Sequence, residues 1–331
     1  MSVKPLAKIF RGTPRNLAFL AKVLRDGGLV GVPTETVYGL AANALDEAAC
    51  RAIFVAKGRP TADPLIVHIH SLPQLSEVAE ANESALKLAG AFWPGPLTIV
   101  LPKRAIVPGI VSAGLDSVAV RMPRHPLFRR LLKLSGLPLA APSANLFGYV
   151  SPTSAEHVLA GLGKKIPYIL DGGPSHIGVE STIVDLRNEH APRLLRPGAV
   201  TQDDLERVLG VPVEALRKRA RTRAQVAPGL LKRHYSPRTP SVLHEYLSTD
   251  PAAGFAAEEA WLFVTKPRTI AGKNIFWLDA RGDLRGAARR LFSVLREIDA
   301  GNFGRIHLER AQGGGLADAI NDRLLRAAGR G

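Results

Sequence analysis

A single cysteine, Cys50, stands in the 331 residues, which excludes a disulfide framework and any zinc site built on cysteine. No apolar run approaches the roughly 20 residues that a transmembrane helix needs. The opening residues 1–16 lack the hydrophobic core of a secretory signal, so the expectation is a cytoplasmic chain that makes no use of membranes. Neither a G-x-x-x-x-G-K-[ST] loop nor a G-x-G-x-x-G after a strand occurs, so a nucleotide, if bound, is held by other means. Acidic residues are scarce, 29 against 44 Lys and Arg, for a net charge of +15. Such a surplus favours phosphate-bearing molecules, whether nucleotide, RNA or DNA. Internal repeats and low-complexity tracts are absent.

What is present is the composition of a folded protein, 46% apolar and 22% charged, long enough for two domains. Thr13-Pro14 caps a helix with Leu17, Leu20, Ala21 and Leu24 on one face, ended by Gly27-Gly28. Asp46 opens a second helix that runs to Gly58. LVGVP, PLIVHI, PLTIVL, SVAVRM, LPLAA, PYILD and STIVDL are short apolar runs of the kind that form buried strands. Thr201 and Asp204 make a capping box for a helix ending near Gly210. Between Val211 and Pro240 lie eight basic residues and one Glu. This segment reads as a linker, in which EALRKRARTRAQ has the option of a short exposed helix. Beyond it AWLFVT, NIFWLD, a helix over 284–298, RIHLER and a last helix over 316–328 make a smaller α/β unit.

The residues able to carry chemistry fall at strand ends, where sites on α/β sheets form. PTETVYGL offers Thr34, Thr36 and Tyr38 as hydrogen-bonding groups. Lys57 and Arg59 flank Gly58 at a helix end, placed either to balance the helix dipole or to clamp phosphates. Arg121 ends an apolar strand and needs an anion, a protein carboxylate or a substrate one. APSANLFG brings Ser143 and Asn145, GVESTIVDL brings Ser181, and LLRPG brings Arg196. His68 and His70 share a strand face, but no third metal ligand accompanies them.

In their order and spacing, PTETVYGL, K-G-R with DPLIVHI, FWPGPLT, SVAVRMP, APSAN, GVESTIVD and LLRPGAV resemble the YrdC-like family over residues 10–210. APGLLKRHYSP and GGGLADAINDRLLRAAG resemble the linker and the C-terminal end of its two-domain members. The resemblance implies a twisted open mixed or parallel sheet with flanking helices (10–210), a basic linker (211–240) and a Rossmann-like domain (241–331). It also implies a reaction in which L-threonine, bicarbonate and ATP give threonylcarbamoyl-AMP and pyrophosphate. Mg²⁺ would arrive with ATP, and the product would pass to the threonylcarbamoyl-transferase machinery that modifies tRNA beside the anticodon. By the same resemblance Thr34, Thr36, His68, Arg121, Ala141 and Ser181 take threonine. Lys57, Arg59, Asp63, Ser117, Ser143, Asn145, Ser151, Arg196, His234 and Tyr235 take ATP, with Lys57 and Arg59 catalytic.

Three positions depart from the family pattern: Phe147 for a serine, Asp63 for a frequent asparagine and Leu230 for methionine. Asp63 sets an acid near the expected phosphates. The segment 227–237 is expected to fold over the pocket as a lid, because a plain tether has no use for His234-Tyr235 beside Lys232-Arg233. Two rivals remain at this point. A non-catalytic RNA-binding protein of the same fold explains the charge but not the polar residues at strand ends. A hydrogenase-maturation carbamoyl transferase would carry acylphosphatase-like and zinc-finger segments, and neither is present.

Overall fold

The computed structural model describes residues 6–215 and 235–329. His234 and the first part of the expected lid, 227–234, lie outside the described residues. Local chemistry sets the helix ends. Thr13 accepts from the Asn16 amide ahead of helix Pro14–Arg25. Asp46 accepts from the Ala48 and Ala49 amides ahead of Glu47–Lys57, which Gly58 ends at φ +62°, a conformation that favours glycine. Both bonds of the Thr201/Asp204 capping box are present, opening Gln202–Leu209.

Eleven strands form one mixed sheet. In spatial order they are Lys8–Arg11, Tyr168–Asp171, Val30–Val32, Gly39–Asn43, Leu139–Ala140, Ile66–His68, Ser117–Arg121, Leu97–Pro102, Thr182–Asp185, Arg193–Arg196 and Glu214–Ala215. Parallel and antiparallel pairings both occur, with Ile66–His68 parallel to Ser117–Arg121 and His68 in register with Arg121. The ladder between Arg193–Arg196 and Thr182–Asp185 is interrupted: Leu194 pairs with Val184, but Arg196 rather than Leu195 pairs with Ile183. One side of the sheet is covered by the main apolar core. On the other, Ile66, Val100, Ala119, Ile183 and Leu195 make a small patch.

The sheet starts before residue 10, at Lys8, and its last strand, Glu214–Ala215, falls within the segment assigned from sequence to the linker. The optional helix is therefore not what its first residues form: Glu214 and Ala215 extend the sheet beside Arg193 and Leu194. Helices Leu72–Val78 and Glu83–Phe92 and strand Gly39–Asn43 are elements that the sequence reading left out.

The second unit has four parallel strands in the order Ser241–His244, Arg305–Glu309, Glu259–Thr265 and Ile275–Asp279. This is the expected Rossmann-like arrangement, with helices Leu284–Ala300 and Leu316–Ala327. Its core runs on into the first unit, because Val37, Val150, Val179 and Tyr235 cluster with Ala288, Phe292 and Leu295. Contact is close at Gly178 (φ +84°), where a Cβ would stand 2.3 Å from the Ala288 carbonyl oxygen. Only glycine satisfies both conditions.

Candidate active site

Strand alternation builds the site. Ile66 and Ala119 belong to the small apolar patch, so His68 and Arg121, two residues further along each strand, emerge on the same side of the sheet. Ile183 and Leu195 share that patch, and two residues before Ile183 stands Ser181. Regular alternation would turn Arg196 to the opposite side from Leu195. The interruption at Leu195 restores it to this one, as a β-bulge does. The result is a cavity lined by Thr34, Thr36, Arg59, His68, Arg121, Ala141, Ser143, Glu180, Ser181, Arg196 and Tyr235, among others.

The polar groups around it are tightly engaged. Arg121 forms an ion pair with Glu35 at 2.7 Å and donates to Thr36 Oγ1 (2.9 Å) and the Gly95 carbonyl (3.2 Å). Burial alone would raise the Glu35 pKa, but the charge and hydrogen bond of Arg121 hold it below the ordinary value. Thr34 donates to the Val37 carbonyl at 2.6 Å and lies 2.8 Å from the Thr36 hydroxyl. Ser181 Oγ lies 2.8 Å from Thr98 Oγ1 and accepts from Arg196, whose Nε donates to the Ser181 carbonyl. His68 is buried against Phe128. Burial first, then the charge of Arg121, pushes its pKa down to about 3, so the imidazole is neutral.

Arg59 pairs with buried Asp63 at 2.9 Å and donates to the carbonyls of Asp63 and Pro64. Asp63, the departure from asparagine, thus serves as the anchor of a cavity-lining cation. Lys57 is buried and donates to the Ser143 and Asn145 carbonyls, both at 2.6 Å. Desolvation, then the neighbouring Arg59, lowers its pKa well below the ordinary lysine value. Asn145 donates to the Leu146 and Tyr149 carbonyls, and Ser151 donates to Glu180 at 2.6 Å. Lys57, Asp63, Asn145 and Ser151 therefore stand behind the groups that line the cavity.

Ser117 is not brought to the cavity. It shares a strand with Arg121, but four extended residues span about 13 Å. Tyr38 is also turned away: its hydroxyl donates to the Gly173 carbonyl at 2.7 Å and accepts from the Gly172 amide. The sequence reading passed over Glu35 and Glu180, each inside a quoted motif, and Arg323, on helix Leu316–Ala327, which donates to Glu180 at 3.0 Å. Tyr235, at φ +64°, reaches the cavity and packs on Phe292. Among the described residues no group of three His, Cys, Asp or Glu could hold a metal, and no helix is long and apolar enough to cross a membrane.

Two family profiles together span most of the chain. One, for the Sua5, YciO and YrdC proteins and described as "Telomere recombination", matches residues 22–198. The other, "Threonylcarbamoyl-AMP synthase, C-terminal domain", matches residues 200–329. A threonylcarbamoyl-AMP synthase of Pyrococcus abyssi is 43% identical over 319 residues, covering 93% of each chain. That of Bacillus subtilis is 39% identical over 95% of this chain and 93% of its own. The crystal structure of P. abyssi Sua5 complexed with L-threonine superposes with a TM-score of 0.89 at 40% identity, covering 98% of both chains.

Proposed function

This chain belongs to the threonylcarbamoyl-AMP synthase family, and on that premise we propose how its own residues perform the synthesis. The activity is formation of threonylcarbamoyl-adenylate. One observation carries the assignment to this cavity: Thr36, His68, Arg121, Ala141, Ser143 and Ser181 come from separate stretches of chain and line one cavity. Threonine lies there with its carboxylate toward Arg121 and its polar groups among Thr34, Thr36, His68, Ser181 and the Ala141 backbone. Arg121 is pre-set for this by Glu35 and Thr36, so little reorganisation is needed on binding.

Bicarbonate and the threonine amine condense to the carbamate with loss of water, and a carbamate oxygen attacks the α-phosphorus of ATP as pyrophosphate leaves. No protein nucleophile is required. The chain's part is to hold the oxygen in line and to neutralise charge growing on the leaving group. Arg59 and Arg196 face the phosphates, while Lys57 fixes the Ser143–Asn145 loop on which they rest. Mg²⁺ travels with ATP and adds charge neutralisation at the phosphates. Tyr235, within electrostatic reach of Arg59 and Arg196, closes the nucleotide side as the described end of a lid that keeps water from the labile product. The enzyme acts in the cytoplasm and delivers its adenylate to the machinery that modifies tRNA beside the anticodon.

Incubation with ATP, Mg²⁺, L-threonine and labelled bicarbonate tests the reading. Pyrophosphate and a labelled acyl-adenylate should appear only when all components are present. Pyrophosphate release without threonine or bicarbonate would overturn it.

A further inference from the structure

The wall of the cavity is partly charged by the other domain. Glu180 lines the cavity and is buried. Its carboxylate is met by Ser151 at 2.6 Å on one oxygen and by Arg323 at 3.0 Å on the other. Arg323 belongs to the last helix of the second unit and its side chain is wholly buried. It also donates to the Glu180 carbonyl (3.3 Å) and the Pro197 carbonyl (2.6 Å), and lies over the Tyr235 ring at 5.6 Å. One guanidinium thus ties together three segments that supply cavity-lining residues: Glu180-Ser181, Arg196-Pro197 and Tyr235.

The balance of charge gives this contact a function. Three arginines line the cavity, Arg59, Arg121 and Arg196, and three carboxylates lie on it or directly behind it, Asp63, Glu35 and Glu180. Asp63 is met by Arg59 and Glu35 by Arg121. In the second unit Asp322 takes two bonds of 2.8 Å from Arg326 and one of 3.3 Å from Arg323, so Arg323 is shared between Asp322 and Glu180. Arg323 adds a positive charge from the second unit. Without Arg323 a buried carboxylate would face the space where a triphosphate binds.

We propose that Arg323 is a positioning residue for ATP, through which the C-terminal domain neutralises Glu180 and so lets the synthase cavity accept a polyanion. The proposal rests on the assignment of the cavity to adenylate synthesis. It predicts a dependence on ligand charge that loss of packing alone would not produce. Threonine, a zwitterion without net charge, should be nearly indifferent to Arg323, whereas nucleotides should respond in proportion to their phosphates.

Calorimetric titration of the full-length wild type, Arg323→Ala, Glu180→Gln and the double variant with AMP, ADP or ATP in the absence of Mg²⁺, or with L-threonine, tests this, with circular dichroism to verify folding. In Arg323→Ala the loss of affinity should rise from about twofold for AMP to about tenfold or more for ATP, because the Coulomb term scales with ligand charge. Threonine affinity should stay within about threefold, since no net charge is opposed. Glu180→Gln alone, which retains Arg323, should tighten ATP binding. The double variant, with the wild-type net charge, should regain most of the ATP affinity. Equal losses for the three nucleotides, or weaker ATP binding by Glu180→Gln, would overturn the proposal. Should Arg323→Ala not fold, Glu180→Gln and the double variant still decide the sign. A wild type that binds neither ATP nor threonine would instead overturn the assignment of the cavity.

Discussion

Arg121 stands 2.7 Å from Glu35, so the guanidinium assigned to the substrate carboxylate already holds a carboxylate of the protein. Glu35 fixes the orientation of the arginine, and in the proposed function its other donors meet the substrate carboxylate. Arg121→Ala should therefore weaken threonine binding by about 2–4 kcal/mol, or about 30- to 700-fold, with a far smaller effect on ATP. Titration of the folded variant with each ligand checks this, and unchanged threonine affinity would remove Arg121 from the site.

Lys57 donates to two carbonyls of the Ser143–Asn145 loop, so its loss acts through that loop. Lys57→Met should lower kcat by about 10²-fold or more while threonine affinity changes little. It should also destabilise the fold by about 1–3 kcal/mol through the unpaired carbonyls. Steady-state kinetics beside denaturant melts separates the two effects.

Arg59→Ala removes the ion-pair partner of Asp63, whose side chain is fully buried. Breaking such a pair costs about 3–5 kcal/mol. The double variant Arg59→Ala/Asp63→Ala should recover most of the stability and none of the turnover. Recovery of both would make the pair purely structural.

His68 titrates near pH 3 in the folded chain against 6.5 when unfolded. Between these values the unfolded state holds a proton that the folded state lacks, so stability is present above pH 6.5 and is lost as pH falls toward 3. In the interval from pH 6 to 5, His68→Gln should make the loss shallower by up to about 1.4 kcal/mol per pH unit. Denaturant melts at pH 6.0, 5.5 and 5.0 supply the slopes, and equal slopes for both proteins would contradict the shift.

Protease cleavage within 227–237 should slow when ATP and threonine are both present, if that stretch closes over the cavity with Tyr235. His234→Ala/Tyr235→Ala should synthesise more slowly or release more free adenylate. Cleavage indifferent to ligands, together with full activity of the double variant, would make the stretch a tether.

Much of this was legible in the sequence because it rests on short-range chemistry. Caps at Thr13, Asp46 and Thr201 are read within four residues, and β-branched runs mark buried strands. Periodicity also places His68 and Arg121 on a sheet face, but it says nothing of which end of a strand faces a site. Ser117 has the right parity and the wrong end. Glu180 and Arg323 were out of reach for a different reason. Their contact spans 143 residues of sequence, and on an amphipathic helix Arg323 looks like any solvated charge. Glu35, between two threonines, has the same ambiguity until Arg121 is set beside it.

The irregular ladder at Leu195 makes length, as well as identity, part of the information carried by that strand. Each side chain upstream of it keeps one phase of the alternation, and Arg196 takes the other. Losing Leu195 would make the ladder regular and still leave Arg196 opposite Ile183, on the cavity side, so Pro197, whose carbonyl receives Arg323, would keep its place. Losing one from the Asn188–Ala191 turn would shorten a surface connection and leave the phase intact. Neither deletion re-addresses the cation; only a regular ladder with Leu195 still in place would turn Arg196 away from the cavity.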